Sequence, residues 1–122
     1  MSTPSLVAIV DDEAPIRAAL NSLVRVLGYQ AVEFDCAEAF LASAAYNHSQ
    51  CQCLIVDVQM PGMSGLELLD KLKNEANPLP VIIISAHFES KTKQKPDGAL
   101  CMLSKPFSAE QMIACLDEAL SA

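Results

Sequence analysis

Branched apolar residues gather in short runs along the chain, and polar or helix-period stretches separate them. Val7-Ala8-Ile9-Val10 is the first run and stops at Asp11-Asp12-Glu13. Ala31-Val32-Glu33-Phe34 follows, then Leu54-Ile55-Val56-Asp57-Val58, Val81-Ile82-Ile83-Ile84-Ser85 and Ala99-Leu100-Cys101-Met102-Leu103-Ser104. Runs this short and this apolar read as strands buried on both faces, as inside a parallel sheet. The third carries a carboxylate at its end and then breaks at Pro61-Gly62. An aspartate fits such a strand only where the sheet opens to water.

Between the strands the spacing changes to that of helices. Ile16, Leu20, Leu23, Val24 and Leu27 share one face, with Pro15 in the first turn and Gly28 as the stop. Asp35 and Glu38 are expected to cap a helix containing Ala39-Phe40-Leu41. Ser64-x-x-Glu67 reads as a capping box, with Leu66, Leu69 and Leu72 inward and a Glu67–Lys71 pair outside. Asn77-Pro78 ends that segment. Ser108-x-x-Gln111 caps the last helix, whose inward face is Met112, Ile113, Leu116 and Leu120. The stretch His87–Asp97, lysine-rich and without apolar periodicity, is expected to be a solvated loop or frayed helix.

Strand and helix alternate, so the fold class is α/β. Right-handed crossovers give a doubly wound five-stranded parallel sheet, and the order 2-1-3-4-5 of flavodoxin-like folds suits five βα units. That order opens a crevice between the first and third strands.

Composition narrows the function classes. The 122 residues make one domain, 1–122, with residues 1–5 expected to be flexible. The chain is 52% apolar and 19% charged, which excludes a disordered segment. No run is long enough to span a membrane, and the N-terminus carries no basic residue of a signal peptide, so a cytoplasmic location is expected. A net charge of −7 argues against direct nucleic-acid binding and suits a cation or a basic partner. The odd number of cysteines, five, reads as reduced thiols. Cys51-x-Cys53 would need two further soft ligands to hold a metal, and His48 offers only one; Cys53 is expected to face the core.

The awkward polar residues then fall together. Asp11 and Asp12 end the first strand, Asp57 the third, Ser85 the fourth and Lys105 the fifth. A parallel sheet puts all of these at one edge. Clustered carboxylates repel, which favours a bound cation or a raised carboxyl pKa, and hard oxygen ligands favour Mg²⁺. With a lysine for phosphate and Asp57 as nucleophile, the set suits phosphoryl transfer to a carboxylate. Each residue also has a plain reading: Asp12 or Glu13 as a helix cap, Ser85 and Asp57 as turn residues, Lys105 as a surface charge, His48 and His87 as loop. An aspartate-nucleophile phosphatase is a further alternative, although Gln59 stands where such enzymes carry a second acid.

Four motifs carry a resemblance: Val10-Asp11-Asp12-Glu13, then Val56-Asp57-x-x-Met60-Pro61-Gly62-Met63-Ser64-Gly65, then Ile84-Ser85-Ala86-His87, and Lys105-Pro106-Phe107. From about Leu6 to Leu120 the chain resembles the receiver domain of two-component response regulators, most closely those of helix-turn-helix transcriptional regulators. The resemblance implies that Asp57 accepts a phosphoryl group from a sensor histidine kinase. It implies an Mg²⁺ site of Asp11, Asp12, Asp57 and the Gln59 carbonyl, a hydroxyl switch at Ser85, and phosphate contact by Lys105, whose bond to Pro106 is commonly cis in the family. Met102 stands where the family often has an aromatic switch. The implied role is a switch and not an enzyme beyond its own phosphorylation and dephosphorylation. Implied partners are the kinase, a second copy on phosphorylation, and DNA only through an output domain outside this chain. A stand-alone or degenerate receiver serving as an interaction module is the alternative.

Overall fold

A computed structural model describes residues 4–48, 50–75, 79–86 and 96–120. In chain order the elements are β1 (Leu6–Val10), α1 (Ala14–Val26), β2 (Gln30–Phe34), α2 (Ala37–Leu41), α3 (Ala44–Asn47), β3 (Cys53–Asp57), α4 (Gly65–Lys73), β4 (Val81–Ser85), β5 (Cys101–Ser104) and α5 (Ala109–Leu120). The strands form one parallel sheet of order β2-β1-β3-β4-β5, as the alternation of strand and helix predicts.

The period of two along each strand divides the core. Ala8, Val10, Leu54, Val56, Val81 and Ile83 face one side, against Ala37 and Phe40 of α2 and Leu68, Leu69 and Leu72 of α4. Val7, Ile9, Cys53, Ile55, Ile82 and Ile84 face the other, against Leu20 and Val24 of α1 and Met112 and Leu116 of α5. Both faces are covered, so β3 and β4 are buried along their whole length, while the edge strands β2 and β5 are partly exposed.

Several local expectations shift. The capping box forms, with Ser64 Oγ accepting from Glu67 N and Glu67 Oε1 from Ser64 N. It starts α4 at Gly65, which turns Leu66 outward (44% exposed) and puts Leu68 inside in its place. Glu67 is thereby engaged at the cap rather than with Lys71. On α5, Ser108 and Gln111 cap reciprocally as expected, but Cys115 takes the buried position and Ile113 is only half-buried. α2 begins one residue later than its expected cap: Cys36 is the N-cap, and neither Asp35 nor Glu38 caps it. α3, capped by Ser43, has no counterpart in the sequence reading. β3 begins and ends one residue earlier than Leu54–Val58, and β5 starts at Cys101 rather than Ala99. Ser5, expected to be flexible, accepts from Gln30 N at 2.8 Å beside β2. The flexible start at residues 1–3, the stop at Asn77-Pro78, and the segment from His87 to residue 95 lie outside the described residues.

Candidate functional site

β1 and β3 pair with Val10 opposite Val56, so Asp11 and Asp57 leave adjacent strand ends side by side. Both are buried, at 0% and 3% exposure. Each binds its own loop through one oxygen: Asp11 Oδ1 accepts from Glu13 N at 2.9 Å, and Asp57 Oδ1 from Gln59 N at 3.2 Å. This bond to the backbone two residues on is the turn habit of aspartate, and here it also aims the second oxygen inward.

Those second oxygens meet Lys105. Its Nζ lies 3.1 Å from Asp11 Oδ2, 3.2 Å from Asp57 Oδ2 and 2.8 Å from Glu13 Oε1. The contact to Asp57 is a hydrogen bond, whereas the ion pair to Asp11 misses hydrogen-bond alignment. Asp11 Oδ2 is therefore buried without a hydrogen bond. Burial pushes the Asp11 carboxyl above its usual range, and the bond from Glu13 N and the nearby Lys105 ammonium only partly offset this. Burial acts on Lys105 in the opposite sense, lowering it, yet the carboxylates of Glu13, Asp11 and Asp57 outweigh burial and hold the ammonium above its usual range.

The neighbouring elements fix these groups. Asp57 pairs with Ile84, so Ser85 stands one step beyond, buried at 2% exposure, and its carbonyl accepts from Lys105 N at 2.7 Å. That bond ties the lysine to the end of β4. The Lys105–Pro106 peptide is cis. Gly65 lets α4 abut the strand: a Cβ there would lie 2.3 Å from the Asp57 carbonyl oxygen. Arg17 of α1 donates from Nη1 to the Asp11 carbonyl at 2.7 Å and pairs through Nε with Glu33 of β2 at 3.4 Å.

The sheet thus brings Asp11, Asp57, Ser85 and Lys105 to one edge, with Asp12 and Gln59 exposed at its rim. Met102 is set back, half-buried and packed on the α2–α4 side. The capping reading of Asp12 and Glu13 fails: Glu13 is the N-cap of α1 but makes no side-chain cap bond, because its carboxylate is drawn to Lys105. Glu13 is the site residue that sequence reasoning set aside, although the acidic triplet signalled it. Arg17 had no signal, since only the turn of α1 over the strand end brings it to Asp11. Cys51 and Cys53 are buried on opposite sides of the sheet, and His48 is exposed after α3.

Carboxylate oxygens of Asp11, Asp12, Glu13 and Asp57 lie within 4.8 Å of one another. An all-oxygen set with one buried oxygen lacking a hydrogen bond fits a hard divalent cation.

A family model, the response regulator receiver domain, matches residues 7–117. Response regulator protein TodT of Pseudomonas putida is 38% identical over 118 residues, covering 95% of this chain and 51% of TodT. Transcriptional regulatory protein FixJ of Bradyrhizobium diazoefficiens is 33% identical over 122 residues, covering 98% of this chain and 58% of FixJ. The solved structure of response regulator StyR superimposes with a TM-score of 0.84 at 31% identity, over 97% of this chain and 60% of that one. The chain spans little more than half the length of each. Since the match runs from the first strand, through both buried aspartates and the lysine between them, into the last helix, the chain belongs to the family of response regulator receiver domains.

Proposed function

We propose that this domain takes a phosphoryl group on Asp57 from a phosphohistidine of a sensor kinase, in a cation-dependent step, and thereby switches an output. The observation that carries the reading is the contact of Lys105 Nζ with Asp57 Oδ2 at 3.2 Å, inside a crevice of otherwise like charge. Asp57 Oδ2 attacks phosphorus, the nitrogen–phosphorus bond breaks, and the donor imidazole leaves with its electron pair. Lys105 already touches the attacking oxygen and is placed to follow the phosphoryl oxygens as charge moves onto them. Asp11, Asp12 and Asp57, with the Gln59 carbonyl, would hold Mg²⁺. That ion would offset the charge of the incoming group.

A phosphoryl group on Asp57 adds a dianion beside Lys105, and Ser85, one step along the next strand, is the hydroxyl that turns to it. Met102, behind Ser85 on β5, repacks with it. The domain serves as a switch rather than turning over other phosphoesters, because Gln59 supplies no acid for a leaving group. FixJ is by its name a transcriptional regulator, and each relative above extends well past the matched region. Control of transcription through a further DNA-binding domain, with pairing of phosphorylated copies, is the corresponding output.

Acetyl phosphate labelling, followed by intact mass, tests the reading. Labelling by one phosphoryl group is expected with Mg²⁺ and not in chelator, and Asp57→Asn is expected to abolish it. A labelled Asp57→Asn protein would overturn the assignment.

A further inference from the structure

The loop that follows Asp57 is hydrogen-bonded to its surroundings at its base and at one further point. At the base Val58 N donates to the Ile84 carbonyl at 2.9 Å and Gly65 N to the Val58 carbonyl at 3.0 Å. Between them the loop carries Gln59, whose N–H holds Asp57 Oδ1. At the tip, Met63 N donates to Glu38 Oε2 at 3.0 Å. Among the described residues this is the one hydrogen bond that joins the tip to another element. Glu38 stands on α2, whose Ala37 and Phe40 are fully buried, so its backbone is anchored to the sheet. The tip is shaped to receive it. Gly62 adopts φ +78°, and a Cβ there would lie 2.7 Å from Glu38 Oε2. The glutamate that sequence reasoning assigned to capping α2 forms no capping box there and reaches across to this loop.

We propose that Glu38 is a positioning residue for phosphoryl transfer, its carboxylate clasping the loop tip so that the Gln59 N–H stays on Asp57. The inference rests on the reading of Asp57 as phosphoacceptor. Without that bond the tip has no hydrogen bond to another element, and the loop between Val58 and Gly65 keeps its base contacts, the Ser64–Glu67 capping box and the packing of Met60 and Met63 on the core. Asp57 Oδ1 then loses a fixed donor, and the Gln59 carbonyl loses its orientation at the crevice. The bond from Met63 N also holds the Glu38 carboxyl below its usual range, so the acceptor is charged at neutral pH. Glu38 is solvent-exposed and joins no hydrophobic core, so its removal bears on loop geometry more than on folding.

The test compares Glu38→Ala, Glu38→Gln and Gly62→Ala in the full chain, through acetyl phosphate labelling rates across Mg²⁺ concentrations and through thermal melts. Glu38→Ala is expected to label about three- to tenfold more slowly, the scale of one partly screened charge-assisted hydrogen bond. It is also expected to need more Mg²⁺ for half-maximal rate, with a melt within a few degrees of the parent. Glu38→Gln keeps an acceptor oxygen and is expected to recover to within about twofold. Gly62→Ala, which crowds the same contact from the loop side with Glu38 intact, is expected to slow labelling likewise. Parent-like labelling and Mg²⁺ dependence in Glu38→Ala would overturn the clasp, and so would a Glu38→Gln protein as slow as Glu38→Ala. A parent chain that takes no label sinks the phosphoacceptor reading and the clasp together, whereas a labelled parent with an unaffected Glu38→Ala sinks the clasp alone.

Discussion

Asp11 and Asp57 share an environment but differ in how it treats them. Lys105 completes a hydrogen bond to Asp57 Oδ2, whereas Asp11 Oδ2 is buried with only an unaligned ion pair. The Asp11 carboxyl is raised chiefly by burial. A group whose folded pKa lies above its unfolded value favours the fold fully at low pH, and that contribution is lost as pH rises through the raised value. Above that raised value the buried charge on Asp11 therefore costs stability. Asp11→Asn is expected to raise the melting temperature in chelator by a few degrees, about the shift that 1 kcal/mol gives in a domain of this size. The same change is expected to remove the stabilisation by Mg²⁺. Scanning fluorimetry with and without Mg²⁺ checks both, and a variant that melts lower in chelator would contradict the account.

At the scale of elements, what matters is how closely helix and loop approach the strand ends. α4 starts against β3 because Gly65 has no side chain to meet the Asp57 carbonyl. Gly65→Ala is expected to cost about 2–4 kcal/mol by urea unfolding, since neither partner in the clash is a flexible side-chain end. It is expected to slow labelling as well, because relief requires moving Asp57. Gly28 offers the contrast: its φ of +94° closes α1, but a Cβ there would meet nothing within 4 Å. Gly28→Ala is expected to cost about 1 kcal/mol and leave labelling unchanged. Equal effects on labelling would show that the approach at Gly65 is not what sets Asp57.

For the molecule as a whole, the central strands of the sheet are buried on both faces, and the thiols report it. Burial, and then the neighbouring thiols, push Cys53 from 9.0 to about 12; burial pushes Cys51 to about 11, and burial with the Cys101 thiol pushes Cys115 to about 12. These groups favour the fold fully below the ordinary thiol value. That contribution is lost as pH rises from about 9 towards 12, because the unfolded chain ionises first. Unfolding free energy is expected to fall between pH 8 and pH 10.5 by about 1.4 kcal/mol per unit of pH per thiol at most. Cys53→Ala, less stable at pH 8 from its cavity, is expected to show a shallower fall. An equally steep fall in that variant would place the alkaline sensitivity elsewhere.

The sequence by itself determined the class of fold and the set of polar groups gathered at one edge of the sheet. Periodicity of two against periodicity of 3.6 is a local signal, legible wherever a strand is buried on both faces or a helix on one, so the sheet and its order could be read from Val7 to Ser104. Asp11, Asp57, Ser85 and Lys105 were legible for the same reason: a polar residue at the end of an apolar strand has one place to go. Tertiary structure alone decided what depends on the close approach of segments far apart in the chain. It decided that Glu13 turns to Lys105 instead of capping α1, that Arg17 reaches the Asp11 carbonyl, and that Leu68 rather than Leu66 faces the core. It also decided that Glu38 crosses to Met63. Spacing along the chain says which groups share a face, but which of them finds a partner depends on distances of a few ångströms that only the packed sheet and helices set.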